Sequence, residues 1–147
     1  MIPQLLEIKR DDYRISTDHS RLDLRWIHNF LANDAYWSRG IPVDVFEKSV
    51  ANSLCFGLYD KDQQIGFSRV VSDFSTFAYL ADVFVAPEYR QQGLGKWLVD
   101  SILNHPDLQG LRRWMLATSD AHELYRKYGF TPLEHPEKMM ELLTMEN

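Results

Sequence analysis

The chain is short of cysteine, of long apolar runs and of basic charge, and each shortage excludes something. Cys55 is the single cysteine in 147 residues. One thiol can form no disulfide within the chain and no thiolate cluster for a metal. Within Ser53-Leu54-Cys55-Phe56-Gly57 it reads as a small buried hydrophobe. The histidines His19, His28, His105, His122 and His135 show no metal-ligand spacing, so no metal is expected. No Gly-x-Ser-x-Gly elbow and no Cys–His nucleophile pattern occurs. No apolar run approaches the roughly 20 residues that a membrane span needs. The start, Met1-Ile2-Pro3-Gln4-Leu5-Leu6-Glu7, has neither the basic region nor the long apolar core of a signal peptide. A cytoplasmic protein without a membrane partner is expected. Lys and Arg number 16 against 21 Asp and Glu, a net charge of −5, which weighs against a nucleic-acid partner. Repeats, low-complexity tracts and Pro/Gly-rich linkers are absent. The expectation is therefore one domain over residues 1–147, long enough to bury about 70% of its unfolded surface without staples.

What is present is ordinary globular content, 45% hydrophobic and 25% charged, with a legible change of period. Residues 6–16 read as two short strands around the turn pair Asp11-Asp12. Ser20-Arg21-Leu22-Asp23 fits a capping box, and Leu22, Trp26, Ile27, Phe30 and Leu31 form a stripe at helical spacing that ends at Asn33 and Asp34. A loop, Tyr36-Trp37-Ser38-Arg39-Gly40, leads to a second short helix from Pro42 that carries Val45, Phe46, Ser49 and Val50. Residues 53–59, 64–71 and 76–85 then read as an antiparallel meander, with turns at 60–63 and 72–75. A helix over 95–103 closes at Asn104-His105-Pro106. A strand is expected at 113–118, a helix from Asp120 to Lys127 stopped by Gly129, and a last strand at 139–144. The fold class is α/β (α+β), a mixed central sheet flanked by helices.

The densest signal is Val83-Phe84-Val85-Ala86-Pro87-Glu88-Tyr89-Arg90-Gln91-Gln92-Gly93-Leu94-Gly95-Lys96. A strand runs into a glycine-bearing turn, and a helix opens straight after it. Such a helix start offers unpaired N–H groups and partial positive charge to an anion. A dinucleotide loop would need glycine at Leu98. A Walker A loop would need glycine at Arg90 and a hydroxyl at Trp97. What remains is Arg90-x-x-Gly93-x-Gly95. Together with Ala121-His122-Glu123-Leu124-Tyr125-Arg126-Lys127-Tyr128-Gly129-Phe130, it resembles the Gcn5-related N-acetyltransferase (GNAT) superfamily. The resemblance is specific from about Tyr79 to Phe130, and the order of elements extends it over nearly the whole chain.

The resemblance implies acetyl-CoA as cosubstrate. N–H groups across Gln91, Gln92, Gly93, Leu94, Gly95 and Lys96 would take the pyrophosphate, with Arg90 opening the loop. Lys96 would either add charge there or stay a solvated surface lysine. Val83, Phe84 and Val85 would pair through their backbone with the pantetheine arm, as a peptide adds a strand. The N–H near Val83 would polarise the thioester carbonyl. Relatives often carry Asn at the position of Thr118, where a hydroxyl makes one bond but not an amide's pair, so Ser119 is a substitute candidate.

Acetyl transfer needs a neutral amine, a stabilised oxyanion and a proton for the leaving thiolate. Tyr125 holds the position of the family tyrosine that faces the CoA sulfur and serves as general acid or orients the sulfur, with a packing tyrosine as the other reading. A phenol with a pKa of about 10 stays protonated at neutral pH. Relatives often have Glu-Asp before the position of Val83; here Ala81-Asp82 stands there. Asp82 is the best remaining carboxylate for the base, with a sheet residue facing solvent or paired to a nearby arginine as the other reading. His122 or Tyr79 through water, or an amine arriving neutral, are further routes.

The family's acceptor pocket is built from the first two helices, the loop between them and the central strands. That points to Trp26, Tyr36, Trp37, Arg39, Phe67 and Arg69, with core packing as the other reading of Trp26. Arg39 and Arg69 suggest an acceptor bearing a carboxylate or phosphate. The function expected is acetyl transfer to the amine of a small molecule or amino acid-like acceptor through a ternary complex. A protein or peptide acetyltransferase and a non-catalytic acyl-CoA-binding module are the alternatives. A homodimer is compatible with the sequence but not required by it.

Overall fold

The computed structural model describes residues 1–145. The chain forms two compact units, Met1–Leu116 and Ala117–Asn147. The first unit holds one six-stranded sheet in sequence order: β1 (Glu7–Arg10), β2 (Tyr13–Ser16), β3 (Leu54–Asp60), β4 (Gln63–Ser72), β5 (Phe77–Val85) and β6 (Arg113–Met115). Neighbours are antiparallel except β5 and β6, which run parallel across the crossover helix α3 (Leu94–Leu103). The sheet is therefore mixed and flanked by helices.

α1 (Leu24–Asn33) and α2 (Val43–Ala51) cover one face. Ile27, Phe30 and Leu31 from α1 and Phe46 and Val50 from α2 pack with Cys55, Phe67 and Phe84 of three successive strands. Every residue of β3 from Leu54 to Tyr59 is buried, as expected of a strand covered on both faces. Cys55 belongs to the α1–α2 side. Its neighbour Phe56 points the other way and meets His105, just past α3, edge to face. His105 is itself buried: its Nε2 lies 3.0 Å from the Gln4 carbonyl and its Nδ1 accepts from the Asp107 N–H at 3.1 Å.

Several local expectations shift. The capping box at Ser20 does not form. Asp18 starts a 3-10 turn over His19–Arg21, and Asp23 is the true cap of α1, accepting from the Trp26 N–H at 3.0 Å. Asp23 stands directly before the apolar stripe, so its carboxylate reaches the orphan N–H first. The Gln64 side chain then fastens this helix start to β4, accepting from the Asp23 N–H at 2.7 Å. On α2, Phe46 and Val50 are buried but Val45 is exposed, because it lies off the 3.6-residue stripe.

The second unit contains α4 (His122–Arg126) and a 3-10 turn over Pro136–Lys138. The cap of α4 is Ala121 rather than Asp120. The Thr118 hydroxyl opens the helix by accepting from the Ala121 N–H at 3.0 Å. β6 stops at Met115, whose pairing with Tyr79 is the last to β5, instead of running to 118. Gly129 ends the helix with φ 94°. No strand forms at 139–144; Met140, Leu142 and Leu143 are exposed there. The stretch Met139-Met140-Glu141-Leu142-Leu143 has neither β-branched residues nor a period of two.

Candidate active site

A bulge in β5 is the centre of the first unit's candidate site. Phe67 pairs with Phe84 and Arg69 with Ala81, so Ser68 of β4 stands opposite two residues, Asp82 and Val83. Asp82 takes the extra step in the left-handed region, φ 57°, which is uncommon for a residue with a side chain. Such bulges re-aim side chains and interrupt a ladder. On its other edge β5 is paired with β6 at Phe77, Ala78 and Tyr79 only. Beyond Tyr79, within this unit, β5 has β4 on one side and no strand on the other. A peptide-like chain can add along that edge.

The strand leads through a 3-10 turn, Pro87–Tyr89, into the glycine loop. Gln91 has φ 63° and Gly93 φ 79°. Gly93 is the N-cap of α3 and offers no side chain. The first intrahelical bond runs from the Trp97 N–H to the Gly93 carbonyl at 3.1 Å. The N–H groups ahead of it are the orphan donors of a helix start. A Cβ built on Gly93 or Gly95 meets nothing within 4 Å. The loop thus presents bare backbone at a positive helix end, which fits a pyrophosphate.

Other loop residues do different work. Arg90 donates from Nε to the Val85 carbonyl at 2.9 Å, tying the loop back to β5. The Gln92 side chain accepts from the Tyr13 hydroxyl at 3.3 Å. The Leu94 side chain is buried, so only its backbone can meet a ligand, while Lys96 is exposed. Tyr89 donates to Asp60 Oδ2 at 2.8 Å, and that bond raises its pKa. Tyr13 meets the Tyr89 ring edge to face, 6.5 Å between centroids. Sequence reasoning passed over Tyr13, Asp60 and Tyr89; the one local signal was an aromatic residue beside the glycine loop.

The residues expected around an acceptor divide into two groups. Phe67 is fully buried and belongs to the core cluster, so it lines no open pocket. Phe84 is likewise core, and Trp26 packs partly buried against it at 5.5 Å. Tyr36, Trp37 and Arg39 lie in and just after the turn Tyr36–Ser38 between α1 and α2. Tyr36 and Arg39 are exposed and Trp37 is half-buried. Trp37 donates from its indole Nε1 to Asp82 Oδ1 at 2.9 Å. Arg69 donates from Nε to Asp82 Oδ2 at 2.8 Å and from Nη1 to Ser53 Oγ at 3.2 Å. The Arg69 charge is therefore met by Asp82. Among the described residues no three His, Cys, Asp or Glu side chains gather as a metal site. No helix among them is long and apolar enough to cross a membrane.

In the second unit Tyr125 is 8% exposed and packs edge to face on Phe130, 5.8 Å between centroids. The Thr118 hydroxyl serves its own turn, also lying 3.5 Å from Asp120 Oδ1. Ser119 is exposed.

The family model for the acetyltransferase (GNAT) domain matches residues 51–132. A crystal structure of a candidate GNAT acetyltransferase from Xanthomonas campestris is 50% identical, with a TM-score of 0.88 over 90% of this chain and 93% of that one. A candidate acetyltransferase of Gibberella zeae is 36% identical over 140 residues, 80% of this chain and 78% of its own length. A sequence-assigned acetyltransferase of Clostridium acetobutylicum, solved with acetyl-CoA, shares the fold at a TM-score of 0.61 and 18% identity, over 89% of this chain and 94% of that one.

Proposed function

The chain belongs to the GNAT acetyltransferases, and from that premise we propose that it moves the acetyl group of acetyl-CoA to the amine of a small molecule or amino acid-like acceptor. Acetyl-CoA supplies the activated acyl group as a thioester. The loop over Arg90, Gln91, Gln92, Gly93, Leu94, Gly95 and Lys96 is assigned to the pyrophosphate, and the open edge of Val83, Phe84 and Val85 to the pantetheine arm. Val83 sits in the bulge, out of one-to-one pairing with β4, and its N–H is assigned to the thioester carbonyl oxygen, where a fixed donor stabilises developing negative charge. Tyr125 is assigned as the proton donor to the departing thiolate, on its place in the family motif. Both units then serve one acetyltransferase domain, a reading supported by the family match running across residues 51–132.

The observation that carries the small-acceptor reading is the Trp37–Asp82 hydrogen bond. It holds the aromatic loop between α1 and α2 against the reacting strand as a wall, where a peptide acceptor needs an open groove. The test measures CoA thiol release at fixed acetyl-CoA against amino acids, polyamines, aromatic amines, N-terminal peptides and lysine peptides. Turnover confined to the small amines supports the reading. Turnover confined to peptides overturns it in favour of a protein acetyltransferase, and acetyl-CoA binding without turnover favours a binding module.

A further inference from the structure

We propose that Asp82 is a positioning residue rather than the general base: its carboxylate clamps the α1–α2 loop and Arg69 onto the β5 bulge and so fixes the acceptor-side wall. The proposal rests on the acetyltransferase reading in one respect, that this wall faces the acceptor.

Each carboxylate oxygen already receives a donor from a different element. Oδ1 takes the Trp37 indole and Oδ2 takes Arg69 Nε. Both members of the ion pair are largely buried, with side chains 19% and 12% exposed for Arg69 and Asp82. An amine seeking a base would have to share or displace these charge-assisted bonds. The hydrogen bonds also continue past the pair. Arg69 Nη1 donates to Ser53 Oγ, and Ser53 Oγ donates to the Ser49 carbonyl in α2 at 2.6 Å. One chain of bonds thus runs from the loop before α2, across β5 and β4, to the end of α2.

The backbone agrees with this role. Asp82 adopts a left-handed conformation, uncommon for a residue with a side chain, which persists only where the surroundings fix it. The two donors on the carboxylate supply that restraint. The clamp also assigns recognition. With Arg69 neutralised, contact with the acceptor falls to groups left outward on the wall. Tyr36, 47% exposed, stands edge to face on the anchored Trp37 at 5.1 Å, and Arg39 follows it.

Two arms test the clamp. The first needs no acceptor. The Trp37 indole N–H resonance, assigned by its loss in Trp37→Phe, should shift and lose hydrogen-exchange protection in Asp82→Ala, which leaves the indole no acceptor at this position. An unchanged, protected indole in Asp82→Ala overturns the clamp even if no amine ever turns over. The second arm uses the best amine from the CoA-release panel. Trp37→Phe and Asp82→Asn should each raise the acceptor KM about fivefold or more, the scale of one lost buried hydrogen bond. The double variant should be no worse than the worse single, because both remove the same contact. The kcat pH profile should keep its wild-type shape. A kcat loss in Asp82→Asn that is greatest at low pH and recovers at high pH, with acceptor KM unchanged, makes Asp82 the base and overturns the proposal.

Discussion

Phe30 and Phe84 stack face to face, their ring centroids 3.8 Å apart and their planes 8° from parallel. The stack fastens α1 to β5 between Val83 and Val85, the stretch whose backbone is assigned to the pantetheine arm. Phe67 adds a third ring 6.1 Å from Phe84. Phe84→Ala should therefore lower stability by about 3–5 kcal/mol, the usual cost of emptying a buried phenylalanine site. Phe84→Leu, which keeps most of the volume, should lose less. Urea unfolding checks both, and a Phe84→Ala variant within about 1 kcal/mol of wild type would mean the site refills by relaxation.

The two glycines of the loop are not equivalent tests of acetyl-CoA binding. Gly93 has φ 79°, so any side chain there is strained whatever it does to a ligand. Gly95 lies in the first turn of α3 with open space around a built Cβ. Gly95→Ala should leave the unliganded protein as stable as wild type or up to about 1 kcal/mol more stable, as alanine is the better helix former. Its methyl group would stand where the loop approaches the pyrophosphate, so acetyl-CoA affinity should fall, and further in Gly95→Val. Thermal unfolding and calorimetry give the two signs separately. Unchanged affinity in a folded Gly95→Val variant removes the loop from the binding site.

The sheet and the glycine loop were legible because each carries a local signal. Alternation and turn pairs marked β1 to β5, and Gly93-x-Gly95 after Val83-x-Val85 marked the loop. The bulge was not legible. It arises from the pairing of Ala81 and Phe84 with residues of β4, a long-range register that nothing near Asp82 announces. Pairing of Asp82 with an arginine was one of its readings, and the structure makes that arginine Arg69. Its other partner was missed for the same reason as the bulge, since Trp37 is 45 residues away in the chain. Phe67 and Arg69 share one face of β4, but only tertiary packing decides that Phe67 fills the core while Arg69 stays partly exposed. The expected strand at 139–144 rested on apolar content without period, which does not choose between strand and coil.

Cys55 offers a pH signature. Burial pushes its thiol up to about 12, with Arg69 nearby pulling the other way and Asp82 adding to the rise. The folded state therefore holds the proton above the ordinary value of 9.0. Stability from this group is fully present below that value and is lost as pH rises toward about 12, since the unfolded chain releases its proton first. In the native protein Cys55 should resist maleimide at pH 8 and react once denaturant unfolds it. Cys55→Ala should flatten the alkaline fall in stability between pH 9 and 11. Rapid labelling of the folded protein at pH 8 would contradict the burial.

Tyr125 separates packing from proton donation, because its ring and its hydroxyl can be tested apart. The ring is buried and rests on Phe130, and Tyr125→Phe keeps that contact. Stability should fall by no more than about 1.5 kcal/mol, the scale of one hydrogen bond. Turnover should fall at least about tenfold, a floor set below the roughly 100-fold at which the usual contribution of general acid catalysis begins, while acetyl-CoA affinity stays near wild type. The leaving thiolate then departs without a positioned proton, so the loss should belong to chemistry. Single-turnover measurements with the best amine of the panel isolate that step from product release. Loss of acetyl-CoA affinity with intact single-turnover chemistry would make Tyr125 a binding residue. Wild-type single-turnover rates in Tyr125→Phe would leave the ring as packing alone and the proton to solvent.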